Sequence, residues 1–227
     1  MTRSSVHEPS FRALPSKAHG GLEIVWTEAG KKVFRQNREL LRAFRHIRDT
    51  FPTPESVPKQ IDLGYAFVER IRDRPSMADS FWSNTRNGIY RITLKNGSEF
   101  VFKDGIREIE PYDNEFDGHE LETAFQARSA GLQVLEHYAQ IHVPNSDRYF
   151  VLMESCRLPT LADLKVRLPP GNWARVFAER QFERQKKILV QAGLGDASIH
   201  NCFVKIPSWK GAELYWFDLR KKLGASK

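Results

Sequence analysis

The stretch GLGDASIHNCFV, residues 193–204, sets an acid and an amide directly before an alternating apolar segment that is typical of a strand. Asp196 lies five residues before Asn201, in a loop that follows a long amphipathic segment. The same spacing joins Asp79 to Asn84, to which we attach no function. The spacing alone is therefore not diagnostic, and its meaning depends on what surrounds it.

A second strand lies downstream of this stretch and ends at another acid. Residues 202–206 and 213–217 read as short strands, and Asp218 follows the second of them. Antiparallel strands joined by a loop would bring Asn201 and Asp218 to adjacent strand ends. Carboxylate and amide oxygens are hard ligands that suit Mg²⁺, which shares its other positions with water and phosphate. Asp196, held nearby, would orient a hydroxyl group or accept its proton.

Length and composition indicate one domain of an ordinary globular protein. The chain has 227 residues, 41% hydrophobic and 28% charged, and its longest apolar run is too short to span a bilayer. Residues 1–20 read as a disordered tail without the features of a secretory signal. Cys156 and Cys202 show no metal or disulfide spacing, so we expect a reducing, cytoplasmic location. The net charge of +7 favours anionic partners.

The N-terminal region, residues 21–78, is predicted to be a helical extension. Apolar residues recur at helical spacing from Lys31 to Arg48, and a second helix is predicted over Tyr65–Arg72. The other face of the first helix carries four arginines: Arg35, Arg38, Arg42 and Arg45. This basic stripe is either an ordinary solvated face or a docking surface for an anionic partner. The tryptophans Trp82, Trp173, Trp209 and Trp216 are not interleaved with it as a base-stacking platform would require, so a nucleic-acid partner is not expected.

The rest of the chain mixes strands and helices. The Asn96–Gly97 turn joins strands predicted at residues 89–94 and 99–103. Further strands are predicted at 134–140 and 149–154, and helices at 114–130, 160–167 and 173–190, with Asn172 as the cap of the last helix. This pattern predicts an α+β fold with an antiparallel sheet.

Between residues 81 and 220 the order of these features resembles the protein-kinase-like superfamily. Members of this superfamily carry an Asp and an Asn five residues apart in the catalytic loop, and a second Asp after a short strand pair. The resemblance implies that Asp196 is the catalytic base and Asn201 a metal ligand. It implies that Asp218 is the main metal ligand, and Leu219 fits the hydrophobic position that follows it.

The upstream parts of such a site are present in the same order. Lys103, at the end of a predicted strand, corresponds to the lysine that contacts the nucleotide phosphates. Glu120 on the following helix is its expected partner, and Glu115 and Glu122 are competitors, because one sequence does not fix which face of the helix turns inward.

The resemblance also implies where the nucleotide would lie. A loop over the phosphates corresponds to a stretch that retains one glycine of the usual pattern, with candidate contacts at Ser83, Thr85 and Gly88. Backbone groups that meet adenine would come from the strand that ends in Met153, Glu154 and Ser155. The implied cofactors are ATP and Mg²⁺.

The implied architecture is a bilobal kinase-like domain over residues 79–227, with an antiparallel sheet in the N-lobe (79–154) and a strongly truncated C-lobe (155–227). Nine residues follow Asp218, which leaves no room for an activation loop or for further helices. We expect the N-terminal helices to pack where those C-terminal helices would otherwise lie. In this short C-lobe the chain resembles small bacterial lipopolysaccharide-core kinase-like proteins.

The expected activity is transfer of the γ-phosphate of ATP to a hydroxyl group of a saccharide, of a lipopolysaccharide core or of a protein Ser or Thr. Two residues depart from the usual neighbours of the base: Leu194 stands where most relatives have histidine, and Ser198 where they have lysine or histidine. These departures, with the eroded phosphate loop, leave a second hypothesis open. The protein would then be a pseudokinase that serves as a nucleotide- or anion-binding interaction module.

Overall fold

The computed structural model describes residues 23–72, 88–106, 120–146, 148–195, 197–208 and 211–221. The first half of the described chain forms β1 (Glu23–Trp26), α1 (Glu28–Gln36), α2 (Arg38–Thr50), β2 (Gln60–Asp62), β3 (Ala66–Arg72), β4 (Gly88–Leu94), β5 (Glu99–Ile106) and α3 (Glu120–Ser129). The second half forms β6 (His137–His142), β7 (Arg148–Glu154), α4 (Leu161–Arg167), α5 (Trp173–Gln191), β8 (Leu194–Gly195), β9 (Cys202–Ser208), β10 (Gly211–Trp216) and β11 (Arg220–Lys221).

The fold is α+β and is built around a seven-stranded sheet in the order β1-β6-β7-β5-β4-β3-β2. Every neighbouring pair of strands is antiparallel. In the centre, Phe102 of β5 pairs with Tyr90 of β4 and with Leu152 of β7. Residues of β4 alternate between buried and half-buried, as the period of a strand requires. The antiparallel sheet predicted from the sequence is therefore present, with more strands than expected.

The helices α1 and α2 cover one face of this sheet. Phe44 of α2 lies against Phe102 and Phe150, with ring centroids 5.3 and 5.6 Å apart. The side of α1 touches β6 so closely that a Cβ at Gly30 would lie 1.7 Å from the Tyr138 carbonyl oxygen. The expectation that these helices replace C-terminal helices is wrong, because their apolar faces belong to the core of the sheet.

The single helix predicted from Lys31 to Arg48 is two helices that meet at Asn37. This residue has φ −132° and ψ 72°, outside the helical region. Its side chain is buried, donates a 2.9 Å hydrogen bond to the Val33 carbonyl and accepts one of 3.2 Å from Asn96. These bonds stabilise the break, and buried apolar residues continue from α1 into α2 on either side of it.

Residues 66–72 form strand β3, so the helix predicted over Tyr65–Arg72 is wrong. Ala66 pairs with Leu94, and Val68 pairs with Ile92 on β4. With β1 and β2, this strand shows that residues 21–78 supply part of the sheet and are not a purely helical extension. β3 lies before the predicted domain boundary at residues 78 and 79, and β4 lies after it. Because these strands pair, one sheet contains residues from both sides of that boundary.

The arginine stripe lies on the solvent side of α1 and α2. Arg35, Arg38 and Arg42 are exposed, and Arg45 is half-buried. The guanidinium of Arg42 lies 4.2 Å from the centroid of the Tyr65 ring, where it makes a cation–π contact.

A second core lies beyond β7 and joins α3, α4, α5 and the β9–β10 hairpin. Trp216 of β10 is fully buried there, packs against Phe182 of α5 and donates a 2.5 Å hydrogen bond to Gln185. Asn172 caps α5 as predicted, since its side chain accepts a hydrogen bond from Ala174 N. A small third cluster around Val101, Met153 and Phe217 lies between the two cores. None of the helices in the described ranges is long and apolar enough to cross a membrane.

Candidate functional site

Lys103 lies on a central strand and is almost completely buried. Its strand β5 is paired on both sides, with Ile89 opposite on β4 and Val151 opposite on β7. The residue as a whole is 4% exposed. A buried ammonium group is costly unless it is paired and hydrogen-bonded, so its partners define the site.

Two carboxylates from distant parts of the chain bind this one ammonium group. Lys103 Nζ donates a 2.5 Å hydrogen bond to Glu120 Oε1 at the start of α3, and a 2.7 Å hydrogen bond to Asp218 Oδ1. Both carboxylates are about as buried as the lysine. The structure thus brings together three residues that the sequence had singled out, and it selects Glu120 as the partner on the helix.

The two carboxylates beside Lys103 have a larger effect on its pKa than its burial has. Burial alone would lower its pKa, but the negative charges of Asp218 and Glu120 outweigh burial and hold that pKa well above its usual value. The lysine is therefore a permanent cation at any physiological pH. Such a group can balance anions and is not suited to act as a base.

Asn201 and Asp218 lie side by side at the ends of β9 and β10, as predicted. Cys202 pairs with Trp216, and beyond that pair Phe217 N donates a 3.0 Å hydrogen bond to the Asn201 carbonyl. Asn201 Nδ2 donates a 3.3 Å hydrogen bond to the Asp218 carbonyl oxygen. Both side chains are buried. These two hydrogen bonds hold Asn201 next to the segment that carries Asp218.

Asp218 has a backbone conformation that is uncommon for a residue with a side chain. Its φ is +53°, in the left-handed region. Sparsely populated conformations of this kind cost free energy and cluster at functional sites, because the surrounding structure must hold them in place. Here the surrounding bonds are the ion pair to Lys103 and the contact with Asn201.

Thr123 is a site residue that the sequence analysis missed. It is buried one turn after Glu120 on α3, and its Oγ1 donates a 2.9 Å hydrogen bond to the carbonyl oxygen of Leu219. The helix that carries Glu120 is thereby fastened to the segment that carries Asp218. Its position three residues after Glu120, on the same face of the helix, was the available signal.

His137 is a second residue that the sequence did not reveal. It is buried on β6, and its Nδ1 lies 2.8 Å from the Leu135 carbonyl oxygen. Burial lowers its pKa from 6.5 to about 4, and the charges of Asp218 and Lys103 also act on it. The imidazole is therefore neutral at physiological pH. In this neutral form it adds no positive charge near Lys103 and Asp218.

Three of the predicted site residues lie outside the described residues: Asp196, Ser83 and Thr85. Their described neighbours are informative. Gly195 pairs with Arg220, so β8, which precedes the predicted base, is paired with β11, which follows Asp218. Residues 73–87 are flanked by Arg72, which ends β3, and by Gly88, which begins β4. Arg72 pairs with Ile89, and Ile89 also pairs with Lys103.

The remaining candidates are ordinary parts of the sheet and of its rim. Gly88 begins β4, and a Cβ there would lie 2.3 Å from the Tyr90 ring, so packing by itself requires glycine. Met153 is buried in the cluster with Phe217. Glu154 N donates a 2.9 Å hydrogen bond to the Glu136 carbonyl, and burial raises the pKa of the Glu154 carboxyl. Ser155, half-buried, follows directly.

The donor set at this site fits a hard divalent cation that binds phosphate. Asp218 and Asn201 contribute a carboxylate and an amide, which are ligands that Mg²⁺ accepts. Among the described residues no group of three or more His, Cys, Asp or Glu side chains forms a metal cage. A Mg²⁺ ion here would therefore depend on ligands from a bound phosphate and from water, which is its usual arrangement with nucleotides.

Comparison with known proteins gives no independent assignment, since no protein-family model matches the chain and no curated protein is significantly similar to it.

Proposed function

We propose that the protein is an ATP- and Mg²⁺-dependent phosphotransferase that moves the γ-phosphate to a hydroxyl acceptor. The observation that carries this proposal is the buried ion-pair triad of Lys103, Glu120 and Asp218, with Asn201 bonded to the same strand end. Lys103 and Asp218 are 115 residues apart in the sequence. Their convergence with Glu120 is what a kinase-like site requires, and a chance set of surface residues would not produce it.

Each residue has a distinct role in this proposal. Lys103, held by Glu120, balances the negative charge of the nucleotide phosphates. Asp218 and Asn201 hold Mg²⁺, which would neutralise charge that develops on the phosphate oxygens. Asp196 orients the acceptor hydroxyl and takes its proton. Catalysis would then consist mainly of positioning and electrostatic stabilisation.

The nucleotide would lie between the sheet and the second core. The strands that flank residues 73–87 end level with Lys103, which supports a phosphate-binding role for Ser83, Thr85 and Gly88. Met153, Glu154 and Ser155 lie where the last strand of the sheet leaves for the second core, which suits an adenine contact through the backbone. We propose on these grounds a bilobal kinase-like fold with a truncated C-lobe.

The acceptor would be a saccharide, for which a lipopolysaccharide core is our first candidate, or a protein Ser or Thr. A cytoplasmic location fits the two cysteines, which are both free thiols. Burial raises the pKa of the Cys202 thiol to about 12, so that thiol is unreactive. The exposed arginines Arg35, Arg38 and Arg42 remain a candidate contact for an anionic partner.

The test is transfer of label from [γ-³²P]ATP with Mg²⁺ to lipopolysaccharide core oligosaccharide and to fractionated lysate. Asp196→Ala should abolish transfer and leave ATP binding intact, whereas Asp218→Ala should weaken Mg²⁺-dependent ATP binding. The variant Asp49→Ala removes an aspartate at an exposed position on α2 and serves as the matched control, which should stay active. Full activity of the Asp196 and Asp218 variants would overturn the assignment. Stabilisation by ATP without any transfer would favour the pseudokinase alternative.

A further inference from the structure

The connection between α4 and α5 presents apolar side chains to solvent. Val166 is 88% exposed and Trp173 is 49% exposed. Trp173 contacts Phe177 edge-on, with ring centroids 6.2 Å apart. Leaving a tryptophan and a valine in water is unfavourable unless another surface covers them, so this end of the second core has a feature that the proposed catalytic site does not explain.

The local structure holds these side chains in place. Arg175 donates hydrogen bonds of 3.2 and 3.0 Å to the carbonyl oxygens of Lys165 and Leu168, and thereby fastens the end of α4 to the start of α5. The turn itself is closed by a bond from Asn172 N to the Pro169 carbonyl, and Asn172 caps α5. The exposure of Val166 and Trp173 is therefore a property of the folded connection.

A row of basic residues continues from Trp173 along the outer face of α5. Arg180, Arg184 and Lys187 follow one another at steps of four and three residues, so they lie on one face of the helix. The opposite face carries the buried Phe182 and Leu189. All three cations are exposed.

These cations have no ion-pair partner among the carboxylates of the described residues. The acids nearest in sequence are Glu179, which is paired with Arg175, and Glu183, which lies on the same helix. At the end of α4, Arg167 adds another exposed cation beside Val166. The surface therefore combines an apolar tip with an excess of positive charge.

We propose that this α4–α5 surface, consisting of Val166, Trp173, Arg180, Arg184 and Lys187, docks the protein onto an anionic membrane surface. A bilayer with anionic lipids offers an apolar region for Val166 and Trp173 and negative charge for the three cations. Tryptophan is favoured at the boundary between head groups and acyl chains, where its ring is partly buried and its N–H stays wet. The arginines and the lysine lie against the anionic head groups, and each adds to binding while it is within a Debye length of them. The inference does not depend on the proposed catalytic function.

The experiment is co-sedimentation of the full chain with vesicles of two compositions. One contains phosphatidylglycerol and phosphatidylcholine in about equal amounts, and the other contains phosphatidylcholine alone. We expect binding to the anionic vesicles, weakened as salt is added because salt screens the head-group charge. Trp173→Ser should weaken binding about tenfold, through loss of the buried ring. Arg180→Gln/Arg184→Gln/Lys187→Gln should weaken it about 100-fold.

A matched control removes the same charge from other positions. The triple variant Lys59→Gln/Lys95→Gln/Lys205→Gln also loses three positive charges, all at exposed positions outside α5 and outside the arginine stripe. It should bind the vesicles nearly as well as the wild type. Equal losses in the two triple variants would show that net charge alone drives binding, and would overturn the proposal. Unfolding midpoints of all variants, which should be unchanged, exclude misfolding as the cause.

Two other occupants of the surface are outcomes of the same set of variants. A gel shift with single-stranded RNA that is lost in Trp173→Ser, without any vesicle binding, would assign the surface to nucleic acid and overturn the membrane proposal. Concentration-dependent dimerisation that is lost in the same variant, again without vesicle binding, would assign it to a second copy of the chain and overturn the proposal equally. Blue-shifted tryptophan fluorescence on vesicle addition, absent in Trp173→Phe, would support insertion of this side chain.

Discussion

Thr123 on α3 donates a 2.9 Å hydrogen bond to the carbonyl oxygen of Leu219, the residue that follows Asp218. Glu120, one turn earlier on the same helix, binds Lys103 together with Asp218. Helix α3 and the segment after β10 are thus linked in two ways. The first link is the pair of ion pairs through Lys103, and the second is the neutral hydrogen bond from Thr123. The second link makes the position of the ion-pair triad depend on a residue that carries no charge.

The first prediction concerns this link. Thr123→Val keeps the shape of the side chain but removes the donor, so the Leu219 carbonyl loses a buried partner at a cost of about 1–3 kcal/mol. We expect Mg²⁺-dependent ATP affinity to fall about tenfold, because Asp218 and Glu120 are no longer held in register. Thr123→Ser restores the hydroxyl and should restore affinity. If Thr123→Val lowers the unfolding midpoint while ATP affinity is unchanged, Thr123 has a structural role alone.

The second prediction concerns the lysine of the triad. Lys103→Met leaves Glu120 and Asp218 without the cation that they share, and the loss of one partner from a buried pair costs about 3 kcal/mol or more. Protonation of one carboxylate would relieve this cost. The destabilisation relative to wild type should therefore be smaller at pH 5 than at pH 8, as measured by urea unfolding. The double variant Lys103→Met/Asp218→Asn should recover part of the loss, and a destabilisation that is independent of pH would contradict the argument.

The elements that the sequence predicted well are those whose signals are local. The Asn96–Gly97 turn, the Asn172 cap and the alternation in β4 each depend on residues that are neighbours in the chain. The site was predicted from the order of its parts. Lys103 and Asp218 could be named because each follows a recognisable apolar strand segment in the sequence, although β5 continues past Lys103 to Ile106 and the two residues are 115 positions apart.

The errors arise where distant partners determine the structure. Residues 66–72 contain apolar residues at both helical and strand spacing, and their pairing with β4 decides for the strand. At Asn37 the apolar pattern runs on without a break, and the bond from Asn96 lies on another element. His137 carries no local signal at all, since its low pKa comes from burial under the rest of the fold.

The third prediction uses that histidine. Its pKa is about 4 in the folded chain, against a usual value of 6.5. Because the unfolded chain binds the proton more tightly, the stabilising contribution is complete above pH 6.5 and is lost as the pH falls toward 4, with a total of about 3 kcal/mol. His137→Gln should flatten the dependence of the unfolding free energy on pH in that window. Equal slopes for wild type and His137→Gln would contradict the assignment.

The fourth prediction concerns a second buried ion pair, next to Lys103 in sequence. Asp104 accepts hydrogen bonds of 2.9 and 2.6 Å from the guanidinium of Arg148, and both side chains are almost completely buried. Arg148 also donates to the Phe51 carbonyl, which ties the end of α2 to the sheet. Asp104→Ala would leave a guanidinium buried without its carboxylate, so we expect a destabilisation of about 3–5 kcal/mol.

The matched control for this pair is Glu99→Ala. Glu99 lies on β5, the same strand as Asp104, and makes a bidentate contact with Arg157 at a more exposed position. Solvent and salt screen that contact, so the unfolding midpoint should hardly change. Urea unfolding of both variants at low and high salt separates the two cases. The loss in Asp104→Ala should persist in high salt, because a buried pair is screened little. A loss that disappears with added salt would mean that water reaches Arg148, and that the link between α2 and the sheet is weaker than its geometry indicates.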